Sequence, residues 1–232
     1  MKKVFLCVVL VIMCVSSAFG GAVQDLFSEL DGVLSEQGTS NEQKSAKITE
    51  IMTPERISAI IKSGEDINAV DKEEWTLLMW ASRYNSNAEV IKALINAKAY
   101  VTTKDGWGRN ALMMAARSNT NPEVIKILLE AGADINAKDN SAYTAVMWAA
   151  RSNTNPDVIK VLLDVGCDVN TERYGGKTIL MMSAEENTNP EVVKFLIASG
   201  ADVNAKDNKG KSAKFYAEKN SNTEVAKVFE GL

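Results

Sequence analysis

Gly132-Ala133-Asp134-Ile135-Asn136, Gly166-Cys167-Asp168-Val169-Asn170 and Gly200-Ala201-Asp202-Val203-Asn204 repeat one pattern at a spacing of 34 residues. Gly64-Glu65-Asp66-Ile67-Asn68 stands two periods before the first of them, and Lys98-Ala99-Tyr100-Val101-Thr102 fills the gap in register but without the glycine and the acid. A second string keeps the same spacing: Thr76-Leu77-Leu78-Met79, Asn110-Ala111-Leu112-Met113, Thr144-Ala145-Val146-Met147 and Thr178-Ile179-Leu180-Met181, with Ser212-Ala213-Lys214-Phe215 as a blurred fifth copy. Self-similarity at a period of this size is the signature of a stacked-repeat architecture.

Each interval reads as two short helices. Thr144 stands at an N-cap position, and Val146, Met147, Ala149 and Ala150 supply the apolar spacing of a helix ending near Ser152. Asn155-Pro156-Asp157 restarts helix with a capping side chain, a proline at the first helical position, where its missing N–H costs nothing, and an acid in the positive first turn. Asn121-Pro122-Glu123 and Asn189-Pro190-Glu191 repeat that device. The second helix carries Val158, Ile159, Val161, Leu162 and Leu163, and Gly166 suits a left-handed cap. Helices this short cannot bury their apolar faces alone, so neighbouring units must share one core.

Over roughly residues 53 to 230 this organisation resembles the ankyrin repeat family. The resemblance implies an all-α solenoid of stacked helical hairpins with projecting turn tips. Thr-Leu-Leu-Met at 76–79, Thr-Ala-Val-Met at 144–147 and Thr-Ile-Leu-Met at 178–181 stand where the family has Thr-Pro-Leu-His, so methionine replaces its histidine. A longer Ser-Asn-Thr-Asn-Pro link replaces the family's Gly-His between helices, which accounts for a period of 34. The chain divides into residues 1–20, an N-terminal extension over 21–52, and a repeat domain over 53–232. That domain has a partial unit at 53–70 and units starting at Asp71, Asp105, Asp139, Arg173 and Asp207. Val23, Leu26, Phe27, Leu30 and Leu34 mark one amphipathic helix in the extension. Lys214 replaces an apolar residue in the last unit, as suits a terminal cap with one side open to water.

Residues 1–20 read as a secretion signal: Lys2 and Lys3, an apolar run from Val4 to Val15, then small residues before a cut after Gly20. The run is too short for a comfortable membrane span, so the expectation is an exported protein, periplasmic or secreted, with no stable membrane insertion after processing. The full chain has 26 basic and 30 acidic residues; cleavage removes two lysines and no acid, leaving 24 against 30. It also leaves Cys167 as the lone thiol, read as a small buried filler in the register of Ala133 and Ala201.

In the family, projecting tips and the exposed side of the first helices bind other macromolecules on a concave surface. Carried onto this sequence, the resemblance implies a protein-binding set of Trp75, Arg83, Tyr84, Trp107, Arg109, Arg117, Tyr143, Arg151, Tyr174 and Lys177. Trp, Tyr and Arg are the side chains most enriched at binding hot spots. Arg83, Arg117 and Arg151 form a ladder one repeat apart, after which Glu185 and Glu186 reverse the sign, so an acidic partner region is expected opposite the first units and a basic one opposite the fourth. Nucleic acid is a poor match, because its phosphate track would meet that acidic end. Trp80 and Trp148 are assigned to packing, and Met79, Met113, Met147 and Met181 to flexible core filling rather than metal binding.

The sequence contains no histidine, which removes the commonest general base and every triad that depends on it. Gly175-Gly176-Lys177-Thr178 echoes a phosphate loop, but Thr171 stands where its first glycine belongs. Asp134, Asp168 and Asp202 read as turn residues. The expectation is a monomer that is not an enzyme, with no catalytic residues, no cofactor and no metal, and with an unidentified protein as partner. A structural envelope protein without a specific client is the alternative, and a carbohydrate-binding module is a third reading.

Overall fold

A computed structural model describes residues 21–231; the secretion signal read at 1–20 lies outside the described residues. It is built of helical hairpins stacked side by side. The first helices are α2 (Asn41–Ile51), α4 (Leu77–Tyr84), α6 (Ala111–Ser118), α8 (Ala145–Ser152), α10 (Ile179–Glu186) and α12 (Ala213–Ala217). The second helices are α3 (Pro54–Ser63), α5 (Ala88–Asn96), α7 (Pro122–Glu130), α9 (Pro156–Asp164), α11 (Pro190–Ala198) and α13 (Thr223–Lys227). Each set forms its own row, every helix packing on its counterparts in the neighbouring hairpins.

The caps follow the sequence. Pro54, Pro122, Pro156 and Pro190 open second helices, and Asn121, Asn155 and Asn189 accept the backbone N–H two residues on, each at 3.0 Å. Thr76, Asn110 and Thr178 cap first helices through their side chains. Thr144 holds the same position without that bond, and its buried Oγ1 has no partner. Gly132, Gly166 and Gly200 end second helices with φ of 92°, 105° and 94°. The degraded copy takes the same left-handed turn on a side chain, Lys98 at φ 67°.

The inner first helices α4, α6, α8 and α10 are buried on nearly every face. Leu112, Met113, Met114, Ala115 and Ala116 of α6 are all in the core, as are Met79, Met147 and Met181 in the same register as Met113. Two polar networks thread this apolar stack. The side-chain amide of Asn119 donates to the carbonyls of Ser82 and Asn85 in the preceding unit, both at 2.9 Å. Asn153, Asn187 and Asn220 repeat the pair of bonds one unit further each time. The side-chain oxygen of each of these residues takes the N–H of the next asparagine in its Asn-x-Asn string. That next asparagine, Asn121, Asn155, Asn189 or Asn222, then donates across to the preceding link. The link between helices is therefore a continuous amide ladder that satisfies buried carbonyls.

Residues 21–52, set apart in the sequence reading, are packed onto the stack. Helix α2 lies against α4 and α3 against α5, so each extends one row of the stack. Asn85 extends the amide ladder to the carbonyl of Met52 at 2.8 Å. Helix α1 (Ala22–Ser35) covers the end, burying Val23, Leu26, Phe27, Leu30 and Val33. Glu65 caps it by accepting from the N–H groups of Ala22 and Val23, which holds its carboxyl below the usual glutamate range, and Arg56 grips Glu29 through two bonds of 2.8 and 2.6 Å. At the other end Lys214 is exposed, in keeping with a cap. The one departure from all-helical structure among the described residues with strand pairing beyond a single bridge is a short ribbon, β1 (Glu172–Arg173) antiparallel to β2 (Lys177–Thr178), at the fourth tip.

Candidate protein-recognition face

Four of the five tips are each organised by one buried carboxylate. Asp71 accepts the N–H groups of Glu73 and Trp75 on one oxygen and the indole N–H of Trp80 at 2.7 Å on the other. Asp139 does the same with Ser141, Tyr143 and the indole of Trp148, and Asp207 with Lys209, Lys211 and the hydroxyl of Tyr216. In the second unit no ring donates: Asp105 holds its tip through the N–H groups of Trp107 and Arg109, and the Arg109 guanidinium closes on its other oxygen at 2.7 Å. Trp80 and Trp148 are thus packed tip anchors, 1% and 9% exposed, as their register indicates. The fourth unit has Arg173 in place of the aspartate, and there the strand ribbon shapes the tip instead.

Sequence reasoning registered these aspartates only as unit starts and missed their role, although their recurrence at the head of every other full unit was the available signal. It also read Asn119 and Asn153 only as parts of a Ser-Asn-Thr-Asn-Pro link and passed over Asn85, Asn187 and Asn220, where the repeated Asn-x-Asn string was the clue. The carboxylates of Asp134, Asp168 and Asp202 accept an N–H two residues on, as turn residues do.

The aromatic set divides on exposure. Trp107 and Tyr174 stand out from their tips at 53% and 82%. Trp75 and Tyr84, expected on the exposed surface, are buried at 6% and 7%. The reason is an aromatic cluster in the first unit: Trp75 meets Trp80 edge-on at 5.2 Å between centroids, and Trp80 lies 5.9 Å from Tyr84. Both form the floor of this cluster. Tyr143 is half-buried, stacked on Trp148 at 4.8 Å.

Guanidinium groups lie over these rings. Arg83 is 5.3 Å from the Trp75 centroid and 4.9 Å from that of Tyr84; Arg109 is 4.5 Å from that of Trp107; Arg117 is 4.7 Å from that of Trp148. Arg151 covers Tyr143 and Trp148, and Arg173, absent from the sequence-derived set, lies 4.2 Å from the centroid of Tyr143. Such contacts fix the flat cations and contribute about 0.5–2 kcal/mol each, depending on burial.

The sign reversal expected at the fourth unit is largely neutralised within the chain. Glu186 pairs with Arg151 at 2.6 Å, and Glu185 pairs with Lys177, whose ammonium also sits 4.4 Å from the Tyr216 centroid. A basic partner region is therefore not required opposite those two glutamates.

A family model described as ankyrin repeats (3 copies) matches residues 52–139 and 146–229, and a second, ankyrin repeats (many copies), matches 116–163. The chain belongs to the ankyrin repeat family. No curated protein matches it. Ankyrin repeats are protein-interaction modules and not catalysts, so this protein is an interaction module and not an enzyme. Among the described residues no helix is long and apolar enough to cross a membrane, and no group of three or more potential ligand residues stands ready for a metal ion. Burial pushes the thiol of half-buried Cys167 up to about 11, which makes it a poor nucleophile at neutral pH.

Proposed function

We propose that this ankyrin-repeat protein is exported and binds another protein through its tips and the adjoining ends of α4, α6 and α8, acting as an inhibitor or scaffold in the periplasm or outside the cell. The observation that carries this is the row of guanidinium groups lying over the tip rings, with Trp107 and Tyr174 projecting beyond them. Aromatic and arginine side chains held rigid before binding lose little entropy when a partner arrives. Export rests on the basic, apolar and small-residue segments of positions 1–20.

Photo-crosslinkers installed at Trp107 and Tyr174, and for comparison at Lys126 and Lys160 on the second helices, test the face in the native compartment. The expected result is one discrete adduct from positions 107 and 174 and none from 126 and 160. Adducts from the second helices alone contradict the assignment, and an absence of discrete adducts from all four favours an envelope protein without a client. N-terminal sequencing of the purified protein is expected to begin at Gly21; an intact Met1 contradicts export by cleavage.

A further inference from the structure

On the recognition face, four arginines occupy equivalent surroundings with different electrostatic endings. Arg109 is closed by Asp105 and Arg151 by Glu186. Arg83 and Arg117, at the last turns of the adjacent helices α4 and α6, have no carboxylate within ion-pair distance among the described residues. Among the described residues the acid that acts on Arg83 is Asp105, whose two oxygens are already taken by backbone N–H groups and by Arg109. Both cations are largely withdrawn from water on ring faces, and the Nε–H of Arg83 and the indole N–H of Trp75 beside it are buried donors without an acceptor.

Burying a cation without a counter-ion is unfavourable, and placing several together adds repulsion. Burial and the neighbouring Arg83, Arg109 and Arg151 pull the Arg117 guanidinium down to about 10, still charged at neutral pH. The rings hold both groups in place despite that cost, leaving planar donors whose fork matches a carboxylate. Adjacent packed helices lie about 8–10 Å apart, so one ligand must present acceptors on that scale.

Resting on the recognition face proposed above, we infer that Arg83 and Arg117 are the anchor for an acidic segment of the partner protein, each guanidinium receiving one aspartate or glutamate carboxylate. Carboxylates are favoured over a nucleic-acid phosphate track because a long uniform polyanion would run along a chain whose net charge is -4, whereas a short acidic segment meets only the two guanidinium groups.

A fluorescein-labelled peptide of Gly-Glu-Glu repeats, titrated into the purified protein at low salt beside its Gly-Gln-Gln counterpart, tests the inference by fluorescence polarisation. Saturable binding of the glutamate peptide alone is expected. Arg117→Gln and Arg83→Gln are each expected to weaken it about tenfold or more, which corresponds to 1.4 kcal/mol. Lys126→Gln and Lys160→Gln remove the same charge from the second helices and are expected to leave it within about twofold. Because Arg83 sits on the aromatic cluster, circular dichroism accompanies its variant, and Arg117→Gln decides the matter if that variant unfolds. Equal binding of the glutamine peptide, full affinity in Arg117→Gln, an equal loss in the lysine variants, or tighter binding of a labelled single-stranded DNA each overturn the inference. Crosslinks at positions 107 and 174 without affinity for the glutamate peptide overturn only the acidic anchor, whereas crosslinks confined to the second helices remove the face itself.

Discussion

Several residues in this protein hold backbone conformations for which they are poorly suited, and their equivalents in other units show the remedy. Lys98 takes a left-handed turn at φ 67° where Gly132, Gly166 and Gly200 do so without a side chain. A side chain in that conformation costs roughly 1–2 kcal/mol. Lys98→Gly is therefore expected to stabilise the protein by about 1 kcal/mol in urea denaturation, part of the gain being lost to the freer unfolded chain. The reverse holds at the tip: a Cβ on Gly108 meets the Asn140 backbone nitrogen at 2.9 Å, so Gly108→Ala is strained on two counts. Tyr216 supplies a pH signal. Its hydrogen bond to Asp207, with burial and the Asp207 charge adding to it, raises the phenol to about 12. The folded value lies above the ordinary value of about 10. This bond thus contributes fully below pH 10 and is lost as pH rises from about 10 to about 12. Absorbance at 295 nm is expected to show a late-titrating tyrosine that disappears in Tyr216→Phe; identical titration curves contradict the assignment.

At the scale of helices and links, much of the architecture was legible in the sequence because it depends on local rules. The Asn-Pro-acid starts, the glycine ends and the apolar spacing give α7, α9 and α11 directly. The extension helix read through Val23, Leu26, Phe27 and Leu30 is α1. What escaped was non-local. Helix α2 carries no repeat signature, so only its packing on α4 reveals it as a member of the first row. Trp80 and Tyr84 stand four apart on α4, a contact that helical spacing does encode, but the approach of Trp75 from the tip onto Trp80 is not given by spacing. The counter-ions of Arg109 and Arg151 are likewise set by side-chain direction, not by position in the repeat. The amide ladder was written in five Asn-x-Asn strings, but its acceptors are main-chain carbonyls, which leave no mark in a sequence. Asn119→Ala leaves the carbonyls of Ser82 and Asn85 without these donors, at an expected loss of about 2–3 kcal/mol by chemical denaturation. A loss below about 0.5 kcal/mol means that water replaces the amide and that the ladder is not a main support.

For the whole molecule, the stack converts short hairpins into one continuous core, closed by α1 at one end and by the hydrated α12–α13 hairpin at the other. Stability in such arrays is carried by nearest-neighbour interfaces, so a ladder defect is felt in the units on either side of it. The outer tip side chains, such as Trp107 and Tyr174, stand outside that core on tips tied down by an aspartate or, in the fourth unit, by the ribbon, and so they can vary without disturbing the stack. In the proposed function the arginine and aromatic row serves recognition, while the asparagines and methionines pack the stack. The most direct measurement of that division is amide hydrogen exchange of the protein alone and with the partner captured through Trp107. Protection is expected at the second and third tips, residues 105–110 and 139–144, and at the last turns of α4 and α6, with α5, α7 and α9 unchanged. Protection confined to those second helices, with the tips exchanging as before, contradicts the account.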